Sequence, residues 1–340
     1  MRIKQSWYSD IEEQLRDYFY KTYFEPILEL FKEPLYNSTN DVINAINKGR
    51  VVFQGDEIYG VFNMKVSNEL RKFAKFNKYT KRWKIKDKTL IPKDILSASV
   101  IVNEKARQLH SRMKTVIDNI ANTSKDKIRG IDFNIDSVSK EMDSVLNKER
   151  IDLGIRYTPN DYIRQQMVEQ YNKNMELSIV NELDPDCWDT KQVERLREMV
   201  SKMTYEGYNR QKMIEAIQTE FETSKSKARF LARQETTLFY SDLSTSRFTD
   251  AGIHVYQWLT MDDYRVVGDP SGKYPDPSKG HGNHYVLHKK FCKFNDDSVY
   301  ADTLEDVKNN KWKSRAAIGA PVTKPGLEFF CRCVKKPIIL

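Results

Sequence analysis

The sequence changes texture at Gly252, and that change restricts the fold more than any other feature. Before it, from Pro92 onward, apolar residues recur at spacings of three and four through one long segment after another. After it, "IHVYQWLT" alternates in the manner of a strand. "GDPSGKYPDPSKGHGNH" is so crowded with glycine and proline that only loop is compatible with it. A helical body must therefore lead into a compact, loop-rich domain.

The helical part can be read further. Tyr8, Ile11, Leu15, Tyr18, Phe19 and Ile27 mark an amphipathic helix in the first 32 residues, interrupted at Pro34. "GRVVFQGDEIYGVFNM" predicts a short hairpin, a basic helix follows from about Val66, and "RWKIKDKTLIP" predicts another extended piece. Residues 34–94 thus form a small α/β insertion. "DILSASVIVNEKARQLHSRMKTVIDNIANTS" predicts a helix capped by Asp94, with Ile95, Val100, Ile101, Ala106, Leu109, Met113 and Val116 as its buried stripe. "SVSKEMDSVLNKE" continues the pattern. A further helix has Pro159 in its first turn, another stops at Gly207, and two more stretches run to Gly252.

The fold class is α+β: a mainly α-helical stalk, a small α/β insertion near the N-terminus, and a compact loop-rich mixed α/β C-terminal domain. The expected organisation is an N-terminal helical region over residues 1–150 carrying the basic insertion at 34–94, a helical stalk over 151–251, and the compact domain over 252–340.

Charge is unevenly spread along this plan. The 340 residues carry a net charge of +8, and residues 65–94 alone hold eleven Lys/Arg against three acids. Residues 308–340 hold eight against the single Glu328, so the remainder is acidic. Both basic stretches interleave Phe, Tyr or Trp with the cations, a pattern that suits a polyanion such as nucleic acid. Lys72, Lys75, Lys78, Lys81, Arg82 and Lys84 are the candidate phosphate contacts. A solvated basic face with ordinary core aromatics has the same composition. "MRIKQSWYSDIEEQ" lacks the apolar run of a secretion signal, and no uncharged stretch is long enough to span a bilayer. Four cysteines in a chain of this length do not make a disulfide scaffold, so folding in a reducing cytoplasm is expected.

Chemistry-bearing residues gather after Gly252. "TMDDYR" brings Asp262, Asp263 and Arg265; "HGNHYVLH" brings His281, His284 and His288; Cys292 follows, and "PGLEFFCRC" brings Cys331 and Cys333. Two cysteines at i and i+2 on extended chain point to one side, so both sulfurs can reach one ion. A disulfide between them would close a strained ring. Thiolates with an imidazole are the donors of a tetrahedral zinc site, which can staple a small domain; His284, Cys331 and Cys333 are the candidate ligands. The spacing is not the paired CxxC of a zinc ribbon, and reduced thiols packed beside hydrogen-bonded histidines are the competing reading.

The order "KARFLARQETTLFYSDLSTSRFTDAGIHVYQWLTMDDYR…HYVLHKKFCKF…KPGLEFFCRCVKKP" resembles the phage Mu protein F-like minor head, or head-morphogenesis, family. The A-R-x-E-T signature corresponds to Ala232, Arg233, Glu235 and Thr236, and the strand to Gly252, Tyr256 and Trp258. The aspartate–arginine step corresponds to Asp263 and Arg265, the histidine step to His284 and Leu287, and the terminal P-G-x-x-x-x-C-R-C to Pro325, Gly326, Cys331, Arg332 and Cys333. The likeness covers residues 170–340 well and the front half loosely. Where the family has glycine five residues after the histidine, this chain has Lys289, so a different turn is expected there.

The resemblance implies a virion assembly protein rather than an enzyme. It implies a place inside the capsid, assembly in the host cytoplasm, portal and major capsid proteins as partners, and non-sequence-specific contact with packaged DNA. Arg233 and Glu235 are then structural. The alternative is a metal-dependent nuclease or toxin-like effector on the same C-terminal domain, using Asp263, Arg265, His284 and His288.

Overall fold

In the computed structural model the described residues are 4–32, 34–155, 158–181, 183–206, 209–260, 283–328, 331 and 333–340. The fold is α+β, with long helices and small sheets. It separates into two compact units, one of Met1–Leu15, Asp132–Leu177 and Ala228–Leu340, the other of Arg16–Ile131 and Ser178–Lys227. No helix among the described residues is long and apolar enough to cross a membrane.

The second unit holds the basic insertion. Asn40 accepts from the amides of Val42 and Ile43 and so starts the helix Asp41–Asn47. A hairpin follows, β1 (Val51–Gln54) and β2 (Glu57–Gly60), turning through Gly55 at φ 61°. Asn63 caps the helix Met64–Arg71, which leads into a second hairpin, β3 (Ala74–Asn77) and β4 (Arg82–Ile85). All pairings are antiparallel and the order is β1-β2-β4-β3. The period of two sorts the faces: Ile58, Trp83, Ile85 and Ala74 are buried, while Lys84, Arg82 and Lys75 are exposed. Val42, Ile43, Val66, Leu70 and Phe73 complete the apolar side with the first turns of the helix Lys93–Arg129.

That helix corrects two expectations. Its buried stripe runs Ile95, Ala98, Val102, Ala106, Leu109, Met113, Ile117 and Ile120, while Val100 is 62% exposed and Ile101 37%. Strict three-and-four spacing from Ile95 passes through 98 and 102, so 100 and 101 fall out of phase. Asp94 lies inside the first turn, where its charge favours the helix dipole, and the cap position belongs to Pro92. The expected stop at Gly207 lies outside the described residues.

Elsewhere in this unit Phe19 stacks on Trp188 at 4.0 Å, and the Tyr23 hydroxyl donates to buried Asp189. The N-terminal helix (Ser9–Phe19, then Glu25–Glu29) contains one π-helical turn, Tyr20–Phe24.

The first unit is organised by two buried arginines. The Arg247 guanidinium donates to both oxygens of Asp143 at 2.7 Å and to the Asn160 carbonyl at 2.9 Å. Arg164 donates to Asp136, Asp161 and the Ser139 hydroxyl. A bidentate carboxylate for Arg247, and two carboxylates with a hydroxyl for Arg164, are how these buried guanidinium groups are tolerated. They tie together the helices Ile135–Asp152, Asp161–Ile179 and Arg210–Asp250. Pro159 precedes the second of these, and the Asn160 side chain accepts from the Tyr162 amide at its start.

The helix Arg210–Asp250 ends at Gly252, which adopts φ 79°, a backbone form glycine takes freely. The chain then enters β5 (Val255–Leu259), the centre of a three-stranded antiparallel sheet ordered β6-β5-β9, with β6 Phe291–Lys293 and β9 Val334–Ile338. β7 (Val299–Tyr300) and β8 (Lys313–Ser314) pair beside it, and Thr303 closes a capping box on Leu304–Lys308. Pro337 sits opposite Tyr256 on β9, an edge strand, where a missing N–H is harmless.

Candidate metal centre

The central strand fixes the floor of the site. Burial of alternate residues on β5 places Tyr256 and Trp258 inside, each fully enclosed. After "HYVL", which forms the short 3₁₀ turn His284–Leu287, Lys289 donates its amide to the Trp258 carbonyl at 2.7 Å. Lys289 is at φ 63°, the left-handed form that favours glycine. The loss of glycine thus does not remove the left-handed turn: a lysine forms it, at a cost of about 1–2 kcal/mol for its side chain. That hydrogen bond holds His284 edge-on to Trp258, ring centroids 5.5 Å apart.

The terminal signature arrives from the other end. Gly326 is at φ 89°, and a Cβ there would lie 3.4 Å from Thr237 and 3.5 Å from Ser241 on the helix Arg210–Asp250. Those are ordinary van der Waals distances, so it is the positive φ, not lack of space, that favours glycine here. Its amide donates to the Cys331 sulfur at 3.3 Å, and Ser241 donates to the Pro325 carbonyl at 2.9 Å. Lys335 donates to the Ser241 carbonyl and hydroxyl and to Thr245. Burial first of all pulls its pKa down to about 7.

These constraints bring three donors together. His284 Nδ1 lies 3.4 Å from Cys331 Sγ and 3.5 Å from Cys333 Sγ, and all three ligand atoms lie within 4.8 Å of one another. All three residues are buried. Tetrahedral zinc, with Zn–S of about 2.3 Å and Zn–N of about 2.0–2.1 Å, separates nitrogen from sulfur by about 3.6 Å. The His284, Cys331 and Cys333 group can hold a metal ion, and its spacing fits zinc. His284 Nε2 lies 2.6 Å from Glu328, so the carboxylate fixes the ring and leaves Nδ1 facing the sulfurs, an outer partner that metal-binding imidazoles usually have.

Electrostatics agree with that arrangement. A hydrogen bond with Cys333, opposed by burial and helped by His284 and the Gly326 amide, pulls the Cys331 thiol below its ordinary range. Cys333, facing that thiolate, is pushed up. Burial works against the His284 imidazolium, yet Cys331 and Glu328 carry its pKa up to about 9. Without metal these shifts favour a thiolate beside an imidazolium, and an ion bound by the same three atoms would take the place of the Nδ1 proton.

The other sequence candidates lie apart. Cys292, opposite Tyr256, faces the buried Arg315 and is pushed up to about 11, chiefly by burial. It is not a fourth ligand. His288 Nδ1 contacts the Thr260 hydroxyl at 2.7 Å and its ring stacks on Tyr285. Glu235 and Thr236 are buried within their helix, where Thr236 meets the Tyr171 hydroxyl, and Arg233 is half-buried. Trp258 carries the Arg315 guanidinium over its ring at 5.4 Å. Asp262, Asp263, Arg265, His281 and Arg332 lie outside the described residues. Lys72, Lys75, Lys78, Lys81, Arg82 and Lys84 are all exposed; Lys72 pairs with Glu69 and Arg82 with Glu57.

Two residues had no sequence signal of their own. Glu328 counted only as the one acid in a basic tail; its place three residues before Cys331 was the available clue. Arg315, fully buried, donates to the carbonyls of Val299, Pro321 and Thr323. No protein-family model, curated protein or solved structure matches the chain.

Proposed function

We propose that this chain is a minor head protein of a tailed bacteriophage, assembled into the virion in the host cytoplasm beside the portal and major capsid proteins. On this reading it touches packaged DNA through its basic surfaces and supports assembly and genome delivery. One observation carries it. Residues 47 and 49 positions apart, which the family order requires but sequence distance does not unite, meet at a single buried centre. The same centre is seated by Gly326 against the helix that bears Ala232, Arg233, Glu235 and Thr236. Motif order therefore corresponds to one physical body, which is what a shared architectural role needs.

Zinc held by His284, Cys331 and Cys333, with Glu328 behind the histidine, stiffens that body. The donor set is buried and sulfur-rich, a chemistry that favours holding structure over turning over substrate. Exposed lysines supply the salt-dependent, sequence-tolerant attraction expected of a protein beside packed DNA. Mass spectrometry of purified particles, with co-expression of portal and coat, tests the assignment. The chain should be found inside particles and co-purify with portal. Particles that never contain it, together with cleavage of plasmid by the zinc-loaded protein but not by His284→Ala, would replace this reading with the nuclease.

A further inference from the structure

The basic insertion contains a cleft that charge alone does not explain. It lies on the apolar side of the sheet, where the helix Met64–Arg71 and the edge strand β3 leave a space of about 590 Å³. That volume is within the range of about 300–1,000 Å³ typical of ligand sites. Phe62, Phe76 and Trp83 form its aromatic wall, and Arg71, Lys75 and Lys86 stand around it. No acidic residue lines it.

Three features of the wall are informative. Phe76 is directly opposite Trp83 in the β3–β4 register, ring centroids 5.2 Å apart, and is 44% exposed. Phe62 meets the same indole edge-on at 6.2 Å. Trp83 is only 4% exposed, yet its Nε1–H has no hydrogen-bond partner. The partly exposed face of the wall is therefore Phe76, with the buried indole behind it as a rigid backing. Arg71 and Lys86 donate only to Asn68 and to the Arg71 carbonyl, and neither they nor Lys75 has a carboxylate partner among the described residues.

We infer that this cleft binds unpaired bases of a single-stranded nucleic acid. A flat base stacks on the partly exposed Phe76 ring, which Trp83 backs, and the cations take the flanking phosphates. Double-stranded DNA cannot offer this, because its bases are stacked on one another and present only their edges. A simple polyanion fills the charge requirement and leaves the aromatic wall bare. Lys78, Lys81 and Lys84, close by in sequence and exposed, extend the phosphate track beyond the cleft. The inference concerns the ligand of one module and requires no virion, so it goes beyond the head-protein assignment.

The test uses the full chain and fluorescent oligonucleotides of about 20 residues: oligo-dT, an abasic strand with the same backbone, and a duplex, at about 50 and 200 mM salt. Oligo-dT should bind about tenfold tighter than the abasic strand or the duplex, the scale of one to two stacked bases. Phe76→Ala should lose about tenfold for oligo-dT and nothing for the abasic strand, because Phe76 is partly exposed and the fold does not depend on it. Phe76→Tyr, which keeps the ring, should retain affinity. Lys75→Ala should weaken all three probes alike. Equal binding of abasic strand and oligo-dT, preferential binding of duplex, indifference to Phe76→Ala, or no binding of any probe would each overturn the inference. Loss of all binding would also remove the DNA contact proposed above, whereas the other outcomes leave it standing, and none of them decides whether the chain enters particles.

Discussion

The two larger antiparallel sheets among the described residues are held together by opposite means. Around β1–β4 the interior is mainly apolar: Ile58, Val66, Leu70, Phe73 and Trp83 pack with Val42, Ile43 and Ile95, and no charged side chain is buried among them. Around β5, β6 and β9 the interior carries His284, Arg315 and three thiols beside Tyr256 and Trp258. The first arrangement needs only burial, at roughly 25 cal/mol per Å² of apolar surface. The second must satisfy every buried donor and acceptor, since an unpaired one costs about 1–3 kcal/mol. A small sheet that fills its centre with polar atoms has given up part of the hydrophobic term and needs another source of cohesion. The His284, Cys331 and Cys333 group, which can hold a metal ion, is the candidate for that source.

The largest expected effect breaks the comparison directly. Protein purified without chelator should contain about one zinc per chain, and structural zinc in small domains is worth about 10–16 kcal/mol. Chelation, or Cys331→Ser, should therefore strip amide-exchange protection from β5, β6 and β9 while β1–β4 remain protected. Metal-free protein with unchanged protection would return the cysteines to ordinary packing and leave the two sheets differing in composition only.

The reciprocal experiment sharpens it. Ile58 is fully buried at the centre of β2, and Ile58→Ala removes apolar volume that neighbours cannot refill. A loss of about 2–5 kcal/mol is expected, read as lower protection across β1–β4 with zinc content retained. Loss of zinc in the same variant would mean that the two regions do not stand independently.

How far the sequence reveals each region follows from the same contrast. The apolar sheet is legible because burial imprints a period: "RWKI" alternates, "VVFQGDEIYG" breaks at a glycine, and the helix Lys93–Arg129 repeats every three or four. Even there Val100 and Ile101 misled, since hydrophobicity without phase does not identify a buried face. The polar sheet is legible only where residue chemistry is rare. Two cysteines around one residue and a histidine are conspicuous, and they do meet. Arg315 and Glu328 are ordinary surface types whose burial and pairing arise from tertiary placement. Arg247 and Asp143, 104 positions apart, leave no local trace for the same reason.

The smallest expected effect tests where phosphate is held on the apolar sheet's outer face. Arg82 sits there, but its guanidinium is 2.7 Å from Glu57 on the neighbouring strand, and both side chains are about half exposed. A pair of this kind is worth about 0.2–1 kcal/mol, so Glu57→Gln should move stability by no more than that. Its electrostatic effect is larger in proportion, because Arg82 then adds to Lys75 and Lys84, which the β3–β4 register places on the same face. If that face contacts the backbone of a bound strand, Glu57→Gln raises affinity at low salt and steepens the dependence of log K on log salt by about 0.7. An unchanged slope would confine the phosphate contacts to the rim of the aromatic cleft. The outer lysines would then contribute solubility alone.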